Sequence, residues 1–140
     1  MLTSNIRAKS LLGITLAACM SAIAFQPDAT AQSLSQKLSI LSEIENQSLP
    51  RMAGREIRID SAFGGPGKKF GYNFTLVNYS AAQIDGTKFA RMLHPVAVKN
   101  FCNSSYIGFF RENKVTMEVR IYDKGRSLVG RSKVSPSKCK

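Results

Sequence analysis

The chain has 140 residues, of which 20 are Lys or Arg and 9 are Asp or Glu, giving a net charge of +11 with one His and no Trp. That length sets a ceiling of one small domain, and 44% apolar with 21% charged residues is an ordinary globular balance. Wholesale disorder, collagen-like repeats and a multi-pass membrane protein are excluded on those grounds.

Arg7 and Lys9 precede an apolar run from Leu11 to Phe25, which is too short and too early for a spanning helix and has the pattern of an export signal. Pro27 breaks the run, and Ala29-Thr30-Ala31 puts small residues at −3 and −1 of a cleavage site. Residues 1–31 are therefore expected to be a signal peptide and residues 32–140 a single α+β domain. A second reading uses the same segment: Leu16-Ala17-Ala18-Cys19 has the shape of a lipobox, and lipidation of Cys19 would tether the chain to a membrane. The first reading gives a periplasmic protein, the second an outer-membrane lipoprotein facing the periplasm.

Residues 32–140 keep 18 of the basic and 8 of the acidic residues, so the charge belongs to the domain. From Ser33 to Gln47, Leu34, Leu38, Leu41 and Ile44 recur at helical steps, and Pro50 follows; this predicts one amphipathic helix. Ile57, Ile59 and Phe63 alternate with Glu56, Arg58 and Asp60, and after Gly64-Gly65-Pro66-Gly67 the alternation resumes at Phe70, Tyr72, Phe74 and Leu76, which predicts two strands joined by a Gly-rich turn. The glycines lack the Lys-Ser/Thr and following helix of a phosphate-binding loop.

Phe89, Leu93, Val96 and Phe101 mark a second helix over 85–102, with a kink or a second helix start expected at His94-Pro95. Val115, Met117, Val119 and Ile121 then alternate with polar residues, and Asp123-Lys124-Gly125-Arg126 leads into 128–134 as a second hairpin. The order helix, strand, strand, helix, strand, strand predicts an antiparallel sheet of about four strands with helices packed on one face.

Export places Cys102 and Cys139 in an oxidising compartment, where a disulfide is expected. It closes a loop whose ends lie 37 positions apart and stabilises by about 3 to 4 kcal/mol in the chain-entropy account. No CxxC spacing or neighbouring His supports a redox or metal role.

No serine has a base other than His94 to serve it, and the carboxylates are scattered, so neither a catalytic centre, a cofactor nor a metal is expected. Strand alternation sends Arg58, Arg120, Arg131 and Lys133 to the face opposite the apolar residues, with Glu56, Asp60 and Glu118 beside them. That face reads equally as a binding surface for an acidic partner or as a solvated mixed-charge surface. Nucleic acid is a poor partner for an exported chain. The other candidate surface is a groove beside the helix of residues 33–47.

Leu49-Pro50 after a helix, Gly54, Asn78-Tyr79 closing a strand, Phe101-Cys102 ending a helix, then Val115 to Tyr122, Gly125, Leu128 and Cys139 resemble the folded domain of the S-protein pilotins of the type II secretion system, over roughly residues 45–140. The resemblance implies a small α+β unit with the matching cysteines joined, and a lipoprotein that escorts a secretin subunit to the outer membrane by binding its C-terminal segment. Cys19 departs from a clear lipobox. The expected function is a non-enzymatic periplasmic protein-binding module, pilotin-like in secretion or envelope assembly. The alternatives are an inhibitor or immunity protein and a binder of anionic envelope polymer or lipid.

Overall fold

The computed structural model describes residues 32–140; the signal-peptide and Cys19 readings lie outside the described residues. The first helix, α1 (Leu34–Asn46), starts at a capping box: the Gln36 amide donates to Ser33 Oγ at 3.2 Å, and the Ser33 amide donates back to Gln36 Oε1 at 2.8 Å. This satisfies two amides that have no partner inside the helix. After it come β1 (Arg51–Met52), β2 (Ile57–Gly65) and β3 (Lys69–Leu76). The long helix α2 (Gly86–Cys102) and the short α3 (Ile107–Glu112) precede β4 (Thr116–Tyr122) and β5 (Leu128–Val134). The sheet is five strands in chain order, β1 to β5.

The architecture is the expected α+β, mostly antiparallel, but the β3–β4 pair is parallel. A helix of 17 residues at 1.5 Å per residue is about 26 Å long, the length of an eight-residue strand. It carries the chain back to the end of the sheet where β3 began, so β4 must run alongside β3 in the same direction. The two-residue β1 is too short to show an alternation, and it extends the sheet beyond the four strands read from the sequence.

Both long helices lie on one face, α1 against β2 and α2 against β5. Glycine allows each close approach: a Cβ on Gly64 would collide with the Leu38 carbonyl, and one on Gly86 with the Val129 carbonyl. The α2 helix is capped by Asp85, which accepts from the Lys88 amide at 3.0 Å, and it runs unbroken through Pro95. Of the two outcomes expected at His94-Pro95, a kink or a second helix start, the second does not occur, since α2 is one helix with Pro95 inside it.

Between the helices sits an aromatic core. Phe110 of α3 meets Phe70 of β3 at 5.4 Å and Phe101 of α2 at 5.5 Å, and all three are buried. Each buried side chain of this size contributes on the order of 2 kcal/mol. Glu45, near the end of α1, accepts from Tyr72 Oη at 3.1 Å and from Tyr106 Oη at 3.0 Å, joining α1 to β3 and to the α2–α3 link. Burial first, then the Glu45 carboxylate, pushes the Tyr72 hydroxyl far above its ordinary value. Tyr106 also rises, first through its hydrogen bond to Glu45. Both hydroxyls thus remain donors well into alkaline solution.

The free edge of β2 is closed by a side chain. Asn46 accepts from the Ala62 amide at 2.7 Å and donates to the Ala62 carbonyl at 3.0 Å, replacing the strand that β1 is too short to supply.

Cys102→Ser and Cys139→Ser are each expected to lower the unfolding free energy by about 3 to 4 kcal/mol, and the double variant by no more than either, because one cross-link is lost in all three. Denaturant titration of the four proteins checks this.

Candidate functional site

The sheet has two unlike faces. On the helix-free face, Arg58, Arg120, Arg131 and Lys133 lie together as the alternation predicts, since Arg58 pairs across from Thr75, Arg120 from Arg131 and Glu118 from Lys133. Three of the four are engaged in ion pairs. Arg58 bonds Asp60, and Glu118 receives Arg120 Nε at 2.7 Å and Arg131 Nε at 3.1 Å. Glu56 is not part of this surface. It precedes β2 and accepts from Asn78 Nδ2 at 2.6 Å.

A bulge between Ile59 and Ser61 changes the pattern further along β2. The extra residue, Asp60, shifts the two-residue period by one, so Ala62 and Gly64 face the helices and Phe63 faces out. Phe63, expected beside Ile57 and Ile59, instead lies under Arg120, whose guanidinium carbon stands 4.1 Å from the ring centroid.

Glu118 is only 2% exposed. Burial pushes its carboxyl up, but the Arg120 hydrogen bond and the charges of Arg120, Arg131 and Lys133 outweigh burial and hold it below the usual carboxylate range. Asp123 is also held low, by the amides of Ser127, Ala81 and Gly125 that point at it.

The helix-covered face carries a concave apolar site. A cleft of about 570 Å³ opens between α2 and the 53–57 loop. Its floor is Ile57, Ile59, Tyr72, Phe74, Val119 and Ile121 from β2, β3 and β4, and its α2 wall is Leu93, Val96, Ala97 and Phe101. Phe110 closes one end. A shallower apolar hollow of about 420 Å³ continues past Ile57 along the same helix to Phe89, Met92, Ile84 and Tyr79. Val96 is 54% exposed and Met92 62% exposed, a contiguous apolar strip of the kind that marks interaction sites on a small soluble domain.

Arg51 and Arg55 stand at the cleft mouth and make no ion pair among the described residues. Ser104, which also lines the cleft, has a buried Oγ without a hydrogen-bond partner among the described residues.

No residue of the 33–47 helix lines this cleft, which is a surface separate from the groove expected beside that helix. Leu93 and Val96 read as core from their spacing, yet β5 receives α2 on only one flank and leaves the other open. The overlooked signal is that Met92, Leu93 and Val96 widen the apolar arc of α2 beyond what one sheet contact needs.

His94 contacts Ser132 Oγ at 2.9 Å through Nδ1. Ser132 is 5% exposed on the helix-covered face, so the contact ties α2 to β5 and offers no accessible nucleophile.

No protein-family model matches this chain, and no curated protein matches it in sequence. Solved structures do. The chain is similar to a Pseudomonas aeruginosa protein presumed to be secreted, at a TM-score of 0.63 and 11% identity over 76% of this chain and 93% of that one. It is also similar to EpsS, the pilotin of the Vibrio vulnificus type 2 secretion system, at 0.60 and 13% over 76% and 92%. A third match is AspS, the type II secretion pilotin of Vibrio cholerae, at 0.51 and 14% over 76% and 92%. The chain has a pilotin-like fold. The disulfide sits at the end of the helix that walls the cleft, whose lining is mostly apolar.

The depressed Glu118 and Asp123 carboxyls give the fold an acid limb. Because their folded values lie below the unfolded ones, their stabilisation is present in full above the ordinary carboxylate range of about 4 and is lost as pH falls through the lowered values. Glu118→Gln is expected to be about 1 to 2 kcal/mol less stable than the wild type at pH 7. The gap should close as pH falls below about 4, which urea unfolding across pH reads directly.

Proposed function

We propose that this protein is a non-enzymatic, pilotin-like accessory of secretion or envelope assembly that acts in the periplasm, and that the cleft beside α2 holds an apolar segment of its partner. The observation that carries the reading is the cleft itself: an apolar floor beneath an α2 wall that carries the exposed Val96, with exposed Met92 one turn away along the same helix, on a fold shared with two secretion pilotins. The cleft and its shallower continuation follow α2, whose 17 residues span about 26 Å. That length suits an amphipathic helix or extended segment laid in a groove better than a small compact ligand. Arg51 and Arg55 at the mouth favour a segment with acidic flanking residues.

The partner the resemblance implies is the C-terminal segment of a secretin-type subunit. The helix-free basic face is the second reading, supported by Lys133 and by two arginines converging on a single carboxylate, which leaves excess positive charge there.

The test is calorimetric titration of the protein with the C-terminal segment of the secretin subunit from the same cell. Val96→Asp and Leu93→Ser are expected to weaken binding at least about tenfold, since each removes on the order of 1.5 kcal/mol of apolar burial or more. Lys133→Ser, on the basic face but outside the Glu118 ion pairs, should leave it within about threefold. The reverse pattern moves the site to the basic face, and absence of binding in the wild type removes the secretin reading.

A further inference from the structure

On the helix-free face, at the end of the sheet away from Glu118, a polar basin of about 520 Å³ opens between β2, β3 and the β4–β5 turn. It is separated by the whole sheet from the cleft proposed above. Three cations line it: Arg58 from β2, and Lys124 and Arg126 from the turn. Lys124 and Arg126 make no ion pair among the described residues, so the basin carries positive charge that the fold does not neutralise.

The turn that presents them is fixed in shape. Asp123, almost fully buried, accepts from the amides of Ala81, Gly125 and Ser127 at 2.7 to 2.8 Å, and Arg126 is held in the left-handed region at φ 68°. The backbone from which the two cations project is thereby held in place at the basin's rim. The fourth wall carries an independent mark. The Asn73 side chain lines the basin, its Nδ2 donates to Ser61 Oγ at 3.0 Å, and its Oδ1 is buried with no partner. Exchanging the amide oxygen and nitrogen lets Ser61 donate to Oδ1 and leaves Nδ2 without an acceptor. In either setting one hydrogen bond of Asn73 is left unmet inside the wall.

We propose that this basin binds a phosphorylated polyol, whether a soluble sugar phosphate or the glycerophosphate head group of a lipid. Arg126 offers a planar fork that matches phosphate oxygens, and Lys124 adds a mobile point charge. Asp60, on the opposite wall, accepts from Arg58 and Thr75 and retains lone pairs for a hydroxyl of the polyol. The basin exceeds the size of a bare phosphate, and its single carboxylate beside three cations fits a ligand with one anionic end and one hydroxylated end.

The probes are glycerol 3-phosphate followed by NMR shifts, and sedimentation with vesicles of phosphatidylglycerol or of phosphatidylcholine. Saturable binding of glycerol 3-phosphate is expected, weakened about tenfold by Lys124→Gln or by Arg126→Asn, the latter keeping a residue that tolerates a left-handed backbone. Lys133→Gln, on the same face but outside the basin and the Glu118 ion pairs, should leave it unchanged. Sedimentation with phosphatidylglycerol vesicles that glycerol 3-phosphate competes away assigns the lipid head group; glycerol phosphate binding without vesicle binding assigns a soluble ligand. Absence of saturable glycerol phosphate binding overturns the proposal. So does a vesicle attraction that Lys133→Gln weakens as much as the basin variants, because that is general basicity.

Discussion

The distance between two strands governs this molecule. The two long helices rest on β2 and β5, which are three strand positions apart in the sheet and therefore about 14 Å from each other. Helices in contact stand about 8 to 10 Å apart. Side chains from α1 and α2 cannot meet across the whole interval, and something else must cover the floor formed by β3 and β4. At one end the short α3 does so with Phe110, which packs between Phe70 and Phe101. At the other end the cover is incomplete, and Ile57 and Phe74, only half-buried, line the cleft above the buried Ile59 and Ile121.

What keeps the interval from collapsing is the anchoring of each helix to its own strand. The approach of α1 at Gly64, the Asn46 bonds to Ala62 and the Glu45 bridge to two tyrosines hold one side. Gly86 against Val129, His94 against Ser132 and the disulfide after Cys102 hold the other. Apolar surface that would close on itself in a looser fold is thereby kept available, and the cost of exposing it is met by the aromatic core beside it. The helix-free face solves the opposite problem. Its arginines are brought together by the strand register, and the buried Glu118 carboxylate makes that crowding tolerable. Surplus charge is left mainly where the chain turns, at Lys124 and Arg126.

Much of this was legible in the residues, because the signals were periodic or covalent. The two long helices, the four longer strands and the shared face of Arg58, Arg120, Arg131 and Lys133 follow from spacing, and the Cys102–Cys139 pair from two cysteines in an exported domain; the six-residue α3 is too short to show a period and was not read. The parallel β3–β4 pair was not legible, since alternation gives a strand's faces and not its direction. Phe63 was assigned to the wrong face because the bulge at Asp60 leaves no mark in composition. The cleft was missed for a deeper reason: Leu93 and Val96 obey the same helical step as Phe89 and Phe101, and only the helix spacing decides which of them are covered. The resemblance to the type II pilotins rested on the order of elements and the cysteines, features set by the fold, and the solved structures share that fold at identities where sequence alone shows nothing.

The central claim is that the incompletely covered floor beside α2 is the working surface of the protein. Amide chemical-shift mapping of the 15N-labelled protein, titrated with the C-terminal segment of the cell's own secretin subunit, tests it most directly. The account predicts that the largest changes fall on Leu93 to Ser104 of the α2 region and on Arg51 to Ile59, with Arg120, Arg131 and Lys133 nearly still. Changes centred on Arg120, Arg131 and Lys133, with the α2 amides unmoved, would contradict it.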